Sequence, residues 1–254
     1  MTRRDLSLIV TVSLSAAVVT VVGLRAAALP QLSQSVPSSS TRIGEMRHHF
    51  ADILLIHKAV IRGDLSAVRQ PALRLAAVAV PEGMPETAVP FVTELRKAGR
   101  RAADATTISA AAQAAVSLAT GCATCHRGMG VFPAPSRPAG PDIGGSLGHM
   151  LEHQRAADEM LIGLMVPSTT DWREGADRLR TAPLLPRQFP KDPKLTTDIR
   201  KLDLRVHAMA DEAIEAETPD ERASAYTALL GTCTQCHSLH SKIWGPGRAG
   251  GGIR

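Results

Sequence analysis

From Leu6 to Leu24 the chain carries no charged residue, and Arg3 and Arg4 stand just before that run. As a helix it would span about 28 Å, close to the ~30 Å hydrocarbon core of a bilayer. The flanking arginines would stay on the cytoplasmic side and place the rest of the chain across the membrane. Ala26 and Ala28 also offer a small-residue cleavage site of the secretory kind. The length of the run favours an uncleaved anchor over a signal peptide for residues 1–28, and either outcome exports the body. The Ser-rich stretch 29–42 reads as a flexible spacer. Beyond it, no window sustains the period-two alternation of a strand, and the pattern predicts helices. In the later part of the chain these fall at 146–165, 171–181, 194–216 and 219–241. Asp171 with Glu174 and Thr218 with Glu221 have the spacing of capping boxes, and Pro219 stands at the favoured first helical position. In the earlier part Gly63-Asp64 and Pro81–Pro90 punctuate the helices, and Pro71 is expected to kink or shorten the second of them.

The pattern repeats. Met46–Leu75 aligns without gaps on Met150–Leu179, superposing Met46 on Met150, His49 on His153, Arg69 on Arg173 and Leu75 on Leu179. Phe91–His126 then falls on Leu202–His237, with the extra residues of the second copy in the loop around Pro183–Asp192. Such self-similarity makes the body two copies of one unit. Four helices with short connections form an antiparallel bundle. The expected fold is therefore all-α: two tandem four-helix bundles at 43–128 and 144–242. A Pro/Gly linker at 129–143 separates them, and a Gly-rich tail follows at 243–254.

Composition sharpens this picture. Of 254 residues, 44% are apolar and 21% charged, which excludes wholesale disorder. Aromatic residues make up only 3%, a poor supply of flat core filler. The net charge of +5 suggests an anionic partner until it is divided. Residues 43–135 hold ten Lys and Arg against seven Asp and Glu, and residues 143–254 hold fourteen against fifteen. No stretch clusters basic residues with interleaved aromatics, so nucleic-acid binding is not expected.

All four cysteines lie in two short segments, Cys122-Ala123-Thr124-Cys125-His126 and Cys233-Thr234-Gln235-Cys236-His237. Cys-x-x-Cys-His is the attachment sequence of a c-type haem. Two thiols three residues apart on a helical turn can bond both vinyl groups of one porphyrin, and the adjacent histidine then meets the iron. A zinc site built from two such knuckles has them roughly 15–20 residues apart, far closer than these. A disulfide pair would not require histidine after both segments, and a thioredoxin-like motif would follow a strand.

Only 17 residues follow His237, and none is Met, so each domain must lie upstream of its motif. A haem tied to the last helix of a four-helix bundle resembles the cytochrome c prime (class II cytochrome c) family, here over roughly 43–128 and 144–242. The resemblance implies two covalently held haem c groups. It maps the family's attachment residues onto Cys122, Cys125 and His126 and onto Cys233, Cys236 and His237, with His126 and His237 as iron ligands. In such bundles the first helix covers the other face of the iron. Cytochrome c prime itself leaves that position apolar and binds gases, whereas its electron-transfer relatives place Met there.

This chain departs from both patterns. It offers Met46 and His49 on one helix face, repeated as Met150 and His153. We expect His49 and His153 as sixth ligands, with Met46 and Met150 as the alternative pair. His48, His57, His149, His207, His240 and Met129 do not repeat and read as ordinary surface or packing residues. Six-coordinate iron suits electron transfer without catalysis, between redox partner proteins such as a membrane respiratory or photosynthetic complex, on the periplasmic side of a bacterial inner membrane. The alternative is a cytochrome c prime-like protein binding or sensing NO or CO at an open iron.

Overall fold

The structure is a computed structural model and describes residues 39–81, 83–134, 145–182 and 193–244. The proposed anchor at 1–28, residues 135–144 of the linker, the loop around Pro183–Asp192 and the tail from 245 onward lie outside the described residues. Every described residue belongs to one compact unit, bounded by Val36 and Arg254. That unit is helical: α1 Ser39–Arg62, α2 Leu65–Ala76, α3 Val89–Ala103, α4 Ile108–Met129, α5 Gly145–Met165, α6 Thr169–Arg180, α7 Pro193–Glu215 and α8 Pro219–Trp244. A short 3-10 turn, Glu86–Ala88, leads into α3, and no strand occurs among the described residues.

Local chemistry starts and stops these helices. Asp64 caps α2 by accepting from the Ala67 amide at 3.1 Å, and Thr107 caps α4 by accepting from the Ala110 amide at 3.1 Å. The capping box before α8 forms as expected: the Glu221 amide donates to Thr218 Oγ1 at 3.2 Å, while the Glu221 carboxylate accepts from the Thr218 amide at 2.8 Å. Gly130 ends α4 in the left-handed conformation, φ +63°.

The repeat is visible in the helix bounds. Both ends of α2 recur 104 positions later in α6, and the starts of α4 and α8 lie 111 apart. Three expectations shift. First, α1 begins at Ser39, inside the stretch read as spacer. Second, α6 begins two residues before the expected Asp171, because Ser168 is the cap and its Oγ accepts from the Asp171 amide at 3.1 Å. Third, Pro71 does not shorten α2, which has the same 12 residues as α6, a helix without proline. Pro71 is buried with Val68, Ala72 and Leu75, and that burial offsets the hydrogen bond its ring forfeits.

Successive helices pack in the same order in each half: α1 on α2, α2 on α3, α3 on α4, with α4 returning to α1, and likewise for α5 to α8. The halves then meet through the helices that bear the cysteines. α4 packs on α8 and on α5, and α8 packs on α1. A single core cluster runs through both halves, from Ile53, Ile56 and Leu118 to Met160, Trp172, Tyr226 and Leu229. Among the described residues one helix, α4, is long and apolar enough to cross a membrane, yet its Ala111, Ala112, Ala115, Leu118 and Ala119 face is buried in this core.

α5 and α6 approach to backbone contact. A Cβ added at Gly175 would lie 2.7 Å from the Met160 amide nitrogen and 2.8 Å from the Ala156 carbonyl oxygen. Gly175→Ala therefore forces apart two backbones that cannot yield locally. We expect it to cost about 1–3 kcal/mol, read as a lower midpoint of thermal or denaturant unfolding. An unchanged midpoint would show that the helices tolerate more separation than this crossing implies.

Candidate functional site: the two Cys-x-x-Cys-His segments

Both segments lie toward the C-terminal ends of corresponding helices, Cys122–His126 on α4 and Cys233–His237 on α8. Helical spacing sets each pair of thiols on one face of the helix, about one turn apart, with the histidine one residue on. All four cysteines are free thiols of intermediate exposure, and Cys122 and Cys233 pack against the core. Burial pushes the Cys122 thiol up to about 12, with its neighbour Cys125 adding to the effect, and does the same to Cys233 beside Cys236. Cys236 rises to about 11 through burial and the nearby charge of Asp203. Thiols held protonated in this way lack the lowered pKa of a redox-active Cys-x-x-Cys pair. Nor do the four sulfurs gather into one metal-binding group among the described residues.

The other half braces each segment. His126 Nδ1 donates to the Met165 carbonyl oxygen at 2.8 Å, across the α4–α5 contact. That bond fixes the ring and leaves Nε2 as the nitrogen able to bind a metal. In the other direction Thr234, inside the second segment, donates from Oγ1 to the Val60 carbonyl at 2.8 Å, at the end of α1. His237 is half-buried on α8. Open space adjoins Gly121 and Gly231, at the entrance to both segments, where an added Cβ would touch nothing within 4 Å.

The expected sixth ligands sit differently in the two halves. His49 is half-buried on α1, where desolvation lowers its pKa against the opposing pull of Glu45 and Asp52, and Met46 is 43% exposed. His153 is half-buried on α5, and its Nε2 lies 3.3 Å from the Ala182 carbonyl oxygen. Around it the structure gathers residues that the sequence reading set aside. The His149 ring is 4.0 Å from that of His153, and the His207 ring is 5.6 Å from it. Asp203 Oδ1 lies 3.6 Å from His149 Nε2 and 3.4 Å from His207 Nε2. His149, His153 and Asp203 place ligand atoms within 4.8 Å of one another. Of the surface or packing role expected for them, His149 and His207 take the packed one, with Asp203 facing both. Burial, aided by His149 and His207, pushes His153 down to about 3. Burial alone would raise Asp203, but the two histidines facing it win and hold it well below the usual carboxylate range. The available signal was a pair of i, i+4 spacings, His149/His153 on α5 and Asp203/His207 on α7, which an alignment of the two copies passes over.

His57 is the packing residue of the two alternatives open to it. It is fully buried and links three helices: Nδ1 lies 3.1 Å from Asp158 Oδ1 on α5, and Nε2 lies 2.7 Å from the Tyr226 hydroxyl on α8. Tyr226 donates its own proton to the Ala157 carbonyl. Trp172 closes the cluster, its ring edge-on to Tyr226 and its Nε1 donating to the Ala213 carbonyl at 2.7 Å.

Comparisons with family models, with curated proteins and with solved structures found no match to this chain. The residues themselves fit the cofactor that the segments imply. The donor set is two thiols and an imidazole per segment, His126 has its ring fixed through Nδ1, and open space lies at Gly121 and Gly231.

The buried cluster joining the halves yields a stability prediction. Tyr226→Phe deletes the hydroxyl that the His57 ring and the Ala157 carbonyl share, leaving buried polar groups unpaired. We expect a loss of about 1–3 kcal/mol in denaturant unfolding with helical content retained. A neutral effect would show that the network does not hold the halves.

Proposed function

We propose that this chain is an exported dihaem c-type cytochrome that carries electrons and is not an enzyme. Its body would be two tandem four-helix bundles, each holding a covalent haem c on its last helix. The observation that carries the reading is the pair of Cys-x-x-Cys-His segments at matching places on α4 and α8, with the first histidine already fixed through Nδ1 by a backbone carbonyl. Cys122 and Cys125, and Cys233 and Cys236, would form the thioether links. His126 and His237 would be the fifth ligands. The sixth would come from the first helix of each half, His49 on α1 and His153 on α5, in preference to Met46, which is 43% exposed, and Met150.

Bound haem supplies a one-electron couple whose potential is set by its axial ligands and their surroundings. The chain's part is to hold both axial residues on packed helices, so that little moves when an electron arrives or leaves. The Met165 carbonyl would keep the His126 ring in one orientation. Two strong ligands also close the iron to added small molecules, which separates an electron carrier from a gas-binding protein. The partners would be redox proteins, including a membrane respiratory or photosynthetic complex, on the periplasmic side of a bacterial inner membrane. The residues 1–28 would serve as the anchor.

Two measurements test this reading. The mass of the mature polypeptide should exceed that of the bare chain by two tetrapyrroles, and Cys122→Ser with Cys125→Ser should remove one of them. Dithionite-reduced protein should form no carbon monoxide complex, and His49→Ala should turn one of the two haems high-spin. A mass without tetrapyrrole sinks the haem assignment, and stoichiometric carbon monoxide binding at both irons favours the gas-binding alternative.

A further inference from the structure

We propose that His149, a residue with no histidine counterpart in the first half, is the sixth ligand of the second iron, and that His153 beside it is a positioning residue. The inference rests on the haem reading above and refines it at one of the two sites.

Three observations carry it. The first is the state of the two rings. His149 is only 8% exposed, and its Nε2 is buried with no hydrogen-bond partner; the nearest carboxylate oxygen, Asp203 Oδ1, is 3.6 Å away, beyond hydrogen-bond length. A buried polar atom left unpaired is costly, and coordination would satisfy it. His153 differs: it is more exposed, and its Nε2 already has the Ala182 carbonyl at 3.3 Å. An imidazole so engaged must give up a hydrogen bond before it can coordinate through that nitrogen.

The second observation is proximity. Asp203 of α7 is near both features that a haem must join: its Oδ1 lies 3.6 Å from His149 Nε2, and its charge reaches the Cys236 thiol of the second segment. The third is the contrast between halves. At the places of His149, Asp203 and His207 the first half has Glu45, Val92 and Arg96. Glu45 Oε2 is likewise buried and unpartnered, and Arg96 donates from Nε to the Val78 carbonyl. The same register on the first helix thus ends in an unpaired polar atom twice, but only the second copy supplies a nitrogen ligand there. Duplication followed by such divergence would give one chain two unlike irons: His49 in the first half, His149 in the second.

The test compares His149→Ala and His153→Ala in the haem-loaded, full-length protein by electronic absorption and electron paramagnetic resonance. We expect His149→Ala to convert one of the two haems to high-spin, with added imidazole restoring the low-spin form, and His153→Ala to leave both low-spin. Should His149→Ala fail to accumulate, His149→Met keeps the question open, since a thioether at this position should give one haem the charge-transfer band of His/Met ligation. Conversion of a haem by His153→Ala, or low-spin spectra for both haems in the His149→Ala variant, overturns the assignment. So does an unaltered spectrum in His149→Met. Failure of the haem reading itself is separate, because it appears as the absence of added tetrapyrrole in the wild-type mass.

Discussion

The structure depends on one buried polar junction, the His57–Asp158–Tyr226 cluster, where α1, α5 and α8 meet. Burying three polar groups in an otherwise apolar core is costly unless each finds a partner, and here each does. The geometry is demanding, so this junction fixes how the two halves are set against each other more narrowly than aliphatic packing could. Aliphatic side chains such as Ile53 and Leu229 can slide by a fraction of an ångström at little cost, whereas an imidazole held from both nitrogens cannot. What the junction holds in register is the contact between α4 and α8, the helices that bear every cysteine.

The exchange of hydrogen bonds across that contact follows from the same register. His126 rests on a carbonyl of α5 and Thr234 on a carbonyl of α1, so neither Cys-x-x-Cys-His segment is supported by its own half alone. Carbonyl groups at helix C-terminal ends have no partner within their own helix. The end of α5 delivers such an acceptor, the Met165 carbonyl, to His126, whereas the Val60 carbonyl near the end of α1 accepts from both the Gly63 amide and Thr234. A tandem chain built this way is one structural body and not two independent bundles on a string.

Much of this was legible in the chain. The helices of the second half were readable to within two or three residues, because Thr218, Pro219 and Glu221 carry their instructions locally. The repeat was legible because a duplicated unit keeps its spacing, as the matched bounds of α2 and α6 record. The start of α6 was misread because a serine and an acidic residue can both cap, and only the backbone at Ser168 decides between them. That Pro71 does not shorten α2 was not legible, because the local loss of a hydrogen bond competes with burial, which depends on what lies across the core.

The sequence by itself determined that the chain is helical, that it is duplicated, and that its cysteines sit in two Cys-x-x-Cys-His segments at equivalent places. Each of these is encoded over a few residues or by a fixed offset. Only the tertiary structure decided that His57 and His149 are buried, that Asp203 stands between the His149 and His207 imidazoles, and that His126 leans on the opposite half. These contacts join residues from 39 to 169 positions apart, apart from the pair on α7. Comparing the two copies position by position rewards what they share. It is blind to a contact made between them, where symmetry is broken and each copy needs different residues.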